Sequence, residues 1–363
     1  MIHMPPKSSG YVVVNTNESI DKVKHGKTIA IYVIGSTMTS SVPGISIAGT
    51  MPIATLFTPA LDVEYLYYGK PVTLDVIPTT PTGIPTPAII TRTALQLLKT
   101  SFVVVDVGSY VPPKMPTIAL PSRCVGGRID RENALPLGTS ERLFNEAKYV
   151  GSTLGRVADV VLIGESIPAG TTTAMAILHA LGYQGQNLVS SSTSRNPLEI
   201  KKLVVDKALQ RVKGVEDPFT LNDIVGDPLH ISVAGLALGV VEVGGVAVLA
   251  GGTQMLATLG IMKSISPDFD QSKVIHATSR WIFLDKGKEI LEFIKSVTSK
   301  VGFVYSTLDF SNAPFQGLRA YEEGFVKEGV GAGGTAFLAL AKGVDINNLI
   351  EDIYREYHRI TTQ

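Results

Sequence analysis

Cysteine is almost missing from this chain: Cys124 is the only one among 363 residues. An internal disulfide is therefore excluded, and no Cys/His pattern has metal-ligand spacing. A reducing, cytoplasmic location without a bound metal is the expectation. Net charge is missing as well, since 32 Lys and Arg offset 32 Asp and Glu. No basic field for nucleic acid is expected, and no run of like charge is long enough to form a tail. Also lacking is an uncharged apolar run of about 20 residues, the length a membrane span needs. The most apolar tract, Leu229 to Met262, holds Glu242 and is broken by Gly244, Gly245, Gly251 and Gly252. A carboxylate at mid-bilayer costs about 3 kcal/mol, so the tract reads as a buried helix followed by a buried strand. Met1 to Tyr11 has no apolar stretch of the kind a secretion signal uses.

What is present is core material: 45% of residues are hydrophobic and only 18% are charged. Short apolar, β-branched runs end in glycine or small polar residues: Thr28–Ile34, Phe102–Val107, Val160–Ile163, Val246–Ala250 and Val274–His276. Such runs are strands covered on both faces. Segments of helical period lie between them, including Ser140–Leu154 and Pro197–Val212. The alternation predicts a three-layer α/β/α fold with a mostly parallel, Rossmann-like sheet. Residues 28–284 would form this large domain. The chain ends, 1–27 and 285–363, would form a smaller, mainly helical lobe. Thr79–Pro87, with three prolines and a glycine, is an ordered loop. The helix Leu229–Val241, with small residues Ala234, Gly235 and Gly239, is assigned to the core rather than to a dimer face.

The sharpest segment is Val160-Val161-Leu162-Ile163-Gly164-Glu165-Ser166-Ile167-Pro168-Ala169-Gly170-Thr171-Thr172-Thr173. It reads strand, turn, helix start, and free N–H groups at a helix start favour an anion. Gly164, Gly170, Thr171, Thr172 and Thr173 are phosphate candidates, though a capped helix after an ordinary turn explains the threonines equally well. No lysine follows Gly170, which excludes a Walker loop, and the G-x-G-x-x-G spacing of a dinucleotide site is absent. Glu165 follows a buried strand at the sheet's carboxyl edge, where α/β folds bind ligands. A second cluster is Lys327-Glu328-Gly329-Val330-Gly331-Ala332-Gly333-Gly334. Glycines at this density bring backbone close to something, and Glu328 stands just before the tight turn.

These two segments resemble the nicotinate-nucleotide–dimethylbenzimidazole phosphoribosyltransferase family of cobamide assembly, in an archaeal, provisionally described branch. The family's Gly-Glu-Met-Gly-Ile-Gly-Asn-Thr-Thr loop corresponds to Gly164–Thr172, and its Gly-Glu-Gly-x-Gly-Ala to Lys327–Ala332. The similar motifs cover about residues 100 to 340. The resemblance implies that Glu328 is the general base, with Glu165 beside it, and that Gly329 and Gly331 belong to the nucleotide site. A phosphate-binding lysine would fall on Lys201 or Lys202; spacing does not decide, and Lys202 is carried forward. The base-binding loop falls on Pro81–Thr93, with Pro85, Thr86 and Thr91 as candidates. The implied activity is transfer of phosphoribose from nicotinate mononucleotide to a benzimidazole-type base. Its partners are a nucleotide and an aromatic base, with no cofactor, in a homodimer. Alternatives are another acceptor base, or a nucleotide-binding regulator without turnover. His230 is taken as structural and Arg280 as a further phosphate candidate.

Overall fold

A computed structural model describes residues 10–46, 52–76, 80 and 84–362. Residues 1–9 of the N-terminal segment, and Thr79 and 81–83 of the proline-rich loop, lie outside the described residues.

The β-branched runs form strands because both of their faces are covered. They are β1 (Tyr11–Asn15), β2 (Thr28–Gly35), β3 (Phe102–Gly108), β4 (Ile118–Ala119), β5 (Val160–Ser166), β6 (Val246–Ala250), β7 (Val274–Ser279) and β8 (Gly302–Ser306). They make an 8-stranded sheet in the order β1-β8-β7-β6-β5-β2-β3-β4. Only β1 runs antiparallel, against β8. Alternate residues feed two cores. Ile31, Val33, Val161, Ile163 and Leu249 face one side; Ala30, Tyr32, Ile34, Leu162 and Val248 face the other. Helices Thr139–Gly155, Gly170–Ala180 and Pro228–Glu242 cover the first face. Ala88–Leu98, Ala332–Ala341 and Ile346–Thr361 cover the second. Each fully buried Val, Leu or Ile contributes about 1.5–3 kcal/mol.

The chain ends, expected as a smaller helical lobe, are instead joined to this sheet. β1 and β8 complete one edge, and the 332–341 helix lies in the second core with Phe337, Leu338 and Ala339 fully buried. A helix that is apolar all round cannot stand at a surface. The 346–361 helix packs on the 88–98 helix beside it and buries Leu349, Ile353 and Tyr357, one side of a 3.6-residue period.

The helix Pro228–Glu242 belongs to the core. A methyl group on Gly235 would meet the Phe144 carbonyl oxygen at 2.3 Å, and one on Gly239 the Lys148 oxygen at 2.1 Å. These glycines let the 139–155 helix pack backbone to backbone. Gly239→Ala is expected to cost about 1–3 kcal/mol from overpacking, measured as a lower denaturation midpoint at unchanged slope. Among the described residues, no helix is long and apolar enough to cross a membrane.

Strand order places the site. The chain builds from β2 outward to β3 and β4, then returns to lay β5 on the other side of β2. A reversal of this kind opens a crevice at the carboxyl ends of the strands.

Candidate functional site

Glu165 and Ser166 end β5 in that crevice, both buried. The chain then turns through Ile167 and Pro168 to Ala169, whose φ of 62° is left-handed. Ala169 is the N-cap of the 170–180 helix, and no side chain caps it. Gly170 and Thr171 at its first turn line a cavity. The three threonines divide. Thr171 faces the cavity; Thr172 is fully buried without lining it. Thr173 donates to Asp227 Oδ2 at 2.6 Å, holding the neighbouring helix. The expectation that all three bind phosphate is corrected: one face of a helix takes every third or fourth residue, not three in a row. The same period separates the lysines. Lys202 is exposed, whereas Lys201 shares the buried face with Val204, Val205 and Ala208. Lys201 Nζ donates to Thr171 Oγ1 at 2.9 Å and to the Ser190 carbonyl at 2.7 Å. Burial pulls its pKa down to about 7, and nearby Lys327 adds to the shift. Arg280 is taken up by Glu322 at 2.8 Å and Asp309 at 3.3 Å, away from the phosphate end.

The C-terminal glycine run crosses the ends of β5, β6 and β7. Val330 N–H donates to the Glu165 carbonyl at 2.9 Å. A methyl on Gly331 would come 3.0 Å from Gly164 Cα; on Gly334, 2.4 Å from Ala250 Cβ; on Gly333, 2.1 Å from Ser279 N. The two motifs, remote in sequence, therefore touch. Glu328 is fixed in this contact. It accepts N–H groups from Ser279 at 2.9 Å, Gly333 at 3.0 Å and Gly329 at 3.2 Å, and the Thr278 hydroxyl at 3.3 Å. Burial pushes its carboxyl up to about 7, against these donors. Val326 and Val330 flank it with φ of 49° and 53°. β-Branched residues resist that conformation, at about 1–3 kcal/mol each. With Ala169, they put three strained residues on the wall of one cavity.

That cavity holds about 150 Å³. Its lining includes the hydroxyls of Ser190, Ser191, Ser192 and Thr171, with Lys201 behind Thr171 and Ser190. Lys327, also buried, donates to the carbonyls of Thr193 and Gly324 and pairs with Asp285 at 3.4 Å. The same lining holds three carboxyls, those of Glu328, Glu165 and Asp62. Asp62 accepts from Thr86 and Ser166 hydroxyls at 2.8 Å each, and burial pushes it up to about 7. Burial also holds the Glu165 carboxyl well above its usual range, reinforced by Glu328, Asp227 and Asp62. Its Oε1 is buried without a hydrogen-bond partner, a costly arrangement that ordinary packing avoids. Pro85 and Thr86 line the cavity, Thr86 beside Asp62; Thr91 does not, donating instead to the Val330 carbonyl at 2.8 Å. Gly164 and Gly331 serve close packing, while Gly170 and Gly329 reach the cavity.

Sequence reasoning missed Asp62, Gln254 and the 190–192 serines. Asp62 lies inside an ordinary helix with no local signal. The unbroken Ser190–Thr193 hydroxyl run was a readable cue. Among the described residues, no group of His, Cys, Asp and Glu is placed to hold a metal ion.

Residues 82–280 match a family model described as DBI_PRT, phosphoribosyltransferase. A UPF0284 protein of Aeropyrum pernix is 47% identical, covering 92% of this chain and 93% of its own. One from Pyrobaculum calidifontis is 46% identical, covering 92% and 96%. In fold, the chain is similar to CobT from Thermus thermophilus, with a TM-score of 0.63 at 16% identity, covering 98% of this chain and 92% of that one. It is also similar to a nicotinate-nucleotide-dimethylbenzimidazole phosphoribosyltransferase of the same organism, with a TM-score of 0.60 at 15% identity, covering 99% and 92%.

Proposed function

The chain belongs to the phosphoribosyltransferase family that its central residues match, together with the archaeal UPF0284 proteins, and on that premise we propose that it transfers 5-phosphoribose from nicotinate mononucleotide to a benzimidazole-type base. The observation that carries this reading is the polarity of the cavity. Its lining combines a hydroxyl set backed by an amine, Thr171 and the 190–192 serines with buried Lys201, and a carboxyl set, Glu165, Glu328 and Asp62. A nucleotide with a 5′-phosphate and a cationic pyridinium ring carries charges that match both sets.

With the phosphate at the 170–180 helix start, C1′ meets the carboxyl set. Lys201 occupies a lone pair of the Thr171 oxygen, which leaves the hydroxyl hydrogen free for a phosphate oxygen. The pyridinium nitrogen leaves with the C1′–N electron pair as neutral-ring nicotinate, so no general acid is needed. The acceptor's ring nitrogen forms the new bond at the opposite face of C1′, and Glu328 takes the proton from its other ring nitrogen. The product is an α-ribazole phosphate. Positioning both reactants in line supplies about 7–11 kcal/mol, and the general base about 10²–10⁴-fold. The test is free nicotinate, measured by chromatography after incubation with nicotinate mononucleotide and a panel of bases, with the new nucleotide identified by mass. Nucleotide binding without nicotinate release from any base would reject transfer.

The pH profile follows from two opposed groups. Glu328, raised to about 7 by burial, must lose its proton to act, so rate rises as pH climbs through about 7. Lys201, lowered to about 7 by burial, is charged below that pH, so capture of phosphate weakens above it. kcat/KM for the nucleotide should therefore be bell-shaped with its maximum near neutrality. kcat should keep only the rising limb, because bound phosphate holds Lys201 protonated. A kcat that falls on raising the pH from 6 to 8 would contradict Glu328 as the base.

A further inference from the structure

Asp62 lines the cavity and is 2% exposed, yet no step of the transfer just described passes through it. Both of its oxygens are held. Oδ1 accepts the Thr86 hydroxyl and Oδ2 the Ser166 hydroxyl, at 2.8 Å each. Thr86 and Ser166 line the cavity as well. The three side chains come from separate parts of the fold: the helix Thr58–Tyr68, the loop before the helix Ala88–Leu98, and the end of β5. A buried carboxyl is costly unless its lone pairs find hydrogens, and two hydroxyls do not use up the lone-pair sites of its two oxygens.

Counting hydrogens shows what this wall asks of a ligand. Each hydroxyl has one hydrogen, and both are given to Asp62. The Thr86 oxygen also accepts the Ala88 N–H at 3.3 Å. What is left is acceptor capacity, on the carboxyl and on the Ser166 oxygen. Protonation of Asp62, which burial brings to about 7, adds one hydrogen and still leaves lone pairs on both. A ligand group placed here must therefore bring a hydrogen. The carboxylate of nicotinate brings none, and against an ionised Asp62 it would set like charge beside like. The wall also stands next to Glu328. Pro87 follows Thr86, and a methyl on Gly329, the residue after Glu328, would meet Pro87 at 3.3 Å. Ile84, Pro85 and Pro87, around Thr86, line the cavity too. Their apolar surface suits the face of an aromatic ring, with the few polar groups fixing its orientation.

We propose that Asp62, held by Ser166 and Thr86, is the specificity-determining residue for the acceptor base, and that it selects an aromatic base carrying a hydroxyl or amino group over one carrying a methyl at the same place. That this ring accepts phosphoribose rests on the transfer reading; that the wall prefers a ring with a donor group does not. With Glu328 taking the proton of the five-membered ring, a substituent on the fused six-membered ring is the group left to reach Asp62. A site built to hydrogen-bond a donor rejects the analogue that lacks it, because the buried polar groups of the site are then left unpaired. The preference is about 10- to 150-fold, the range for one hydrogen bond that involves a charged group.

The experiment gives the full-length protein 5-hydroxy-, 5-amino- and 5-methylbenzimidazole, three bases of nearly equal size, at pH 8, where Asp62 is mainly ionised. Nicotinate release with saturating nicotinate mononucleotide reads kcat/KM for each base, and calorimetry reads its affinity without turnover. The hydroxy and amino bases should exceed the methyl base by about 10- to 150-fold. A methyl base used as well as the other two overturns the proposal, and no variant is needed to see it. Asp62→Leu, close in shape but without an acceptor, should abolish or reverse the preference, and Asp62→Asn, which keeps one oxygen but no charge, should reduce it. The ratio between bases is the readout, whatever a variant does to the rate with any one of them. A folded Asp62→Leu that keeps the wild-type ratio overturns the proposal. If Asp62→Leu does not fold, Asp62→Asn is read in its place, and an unchanged ratio there counts equally against it. Absence of nicotinate release with every base would reject phosphoribosyl transfer; the affinities then decide the wall, and equal affinities, or none, reject the proposal too.

Discussion

Replacing Glu328 by Gln is expected to lower kcat by about 10²–10⁴-fold, the range for a lost general base, with nicotinate mononucleotide still bound. The amide is the same size, and its oxygen in the Oε2 position still accepts the N–H groups of Ser279 and Gly333, which reach that oxygen of the carboxylate at 2.9 and 3.2 Å. The glycine run should keep its place against β5 and β7. What is lost is the capacity to take the acceptor's ring proton. Steady-state rates should fall, while calorimetry should give a nucleotide affinity within a few-fold of wild type. The rising limb of the pH profile should vanish along with the carboxyl that produces it. Near-normal turnover in this variant would remove Glu328 from the mechanism and leave proton transfer to Glu165 or to the solvent.

The second large effect is expected at Lys201. Lys201→Met keeps the length and volume of a fully buried side chain but deletes its charge and two hydrogen bonds, to Thr171 and to the Ser190 carbonyl. A hydrogen bond involving a charged group is worth about 1.5–3 kcal/mol, so KM for the nucleotide should rise by roughly 10- to 150-fold, with a smaller change in kcat. The falling limb of the kcat/KM profile should disappear too, since it belongs to this ammonium group. Lys202→Met is the control: its side chain is exposed on the other side of the same helix, and both parameters should stay within about twofold, as for most surface substitutions. The reverse pattern, a damaged Lys202 variant beside a normal Lys201 variant, would relocate the phosphate end.

The two lysines show how much of the site was legible. Both segments that meet in the cavity were visible as glycine-rich breaks after apolar runs, and both carboxylates stood out by their positions beside them. Which neighbour on a helix points inward was not legible at Lys201 and Lys202, because the helix Leu198–Leu209 has apolar residues on more than one side and its phase is set by packing. The threonines failed for the same reason. Thr171, Thr172 and Thr173 are chemically equivalent in sequence, yet one lines the cavity, one is buried in packing and one holds Asp227. Asp62 was invisible: nothing local marks an aspartate in the helix Thr58–Tyr68 as the partner of Ser166.

Sequence alone determined the α/β alternation, the mostly parallel sheet, the covered faces of its strands and the two glycine-rich turns, because strand and helix periods and turn chemistry are local properties. Tertiary structure alone decided that the chain ends join the sheet, that Gly331 rests against Gly164, and that Asp227 at one helix start holds Thr173 at another. Those outcomes depend on contacts between residues far apart in the chain, where burial raises the cost of every unpaired charge and only the folded arrangement supplies the partner.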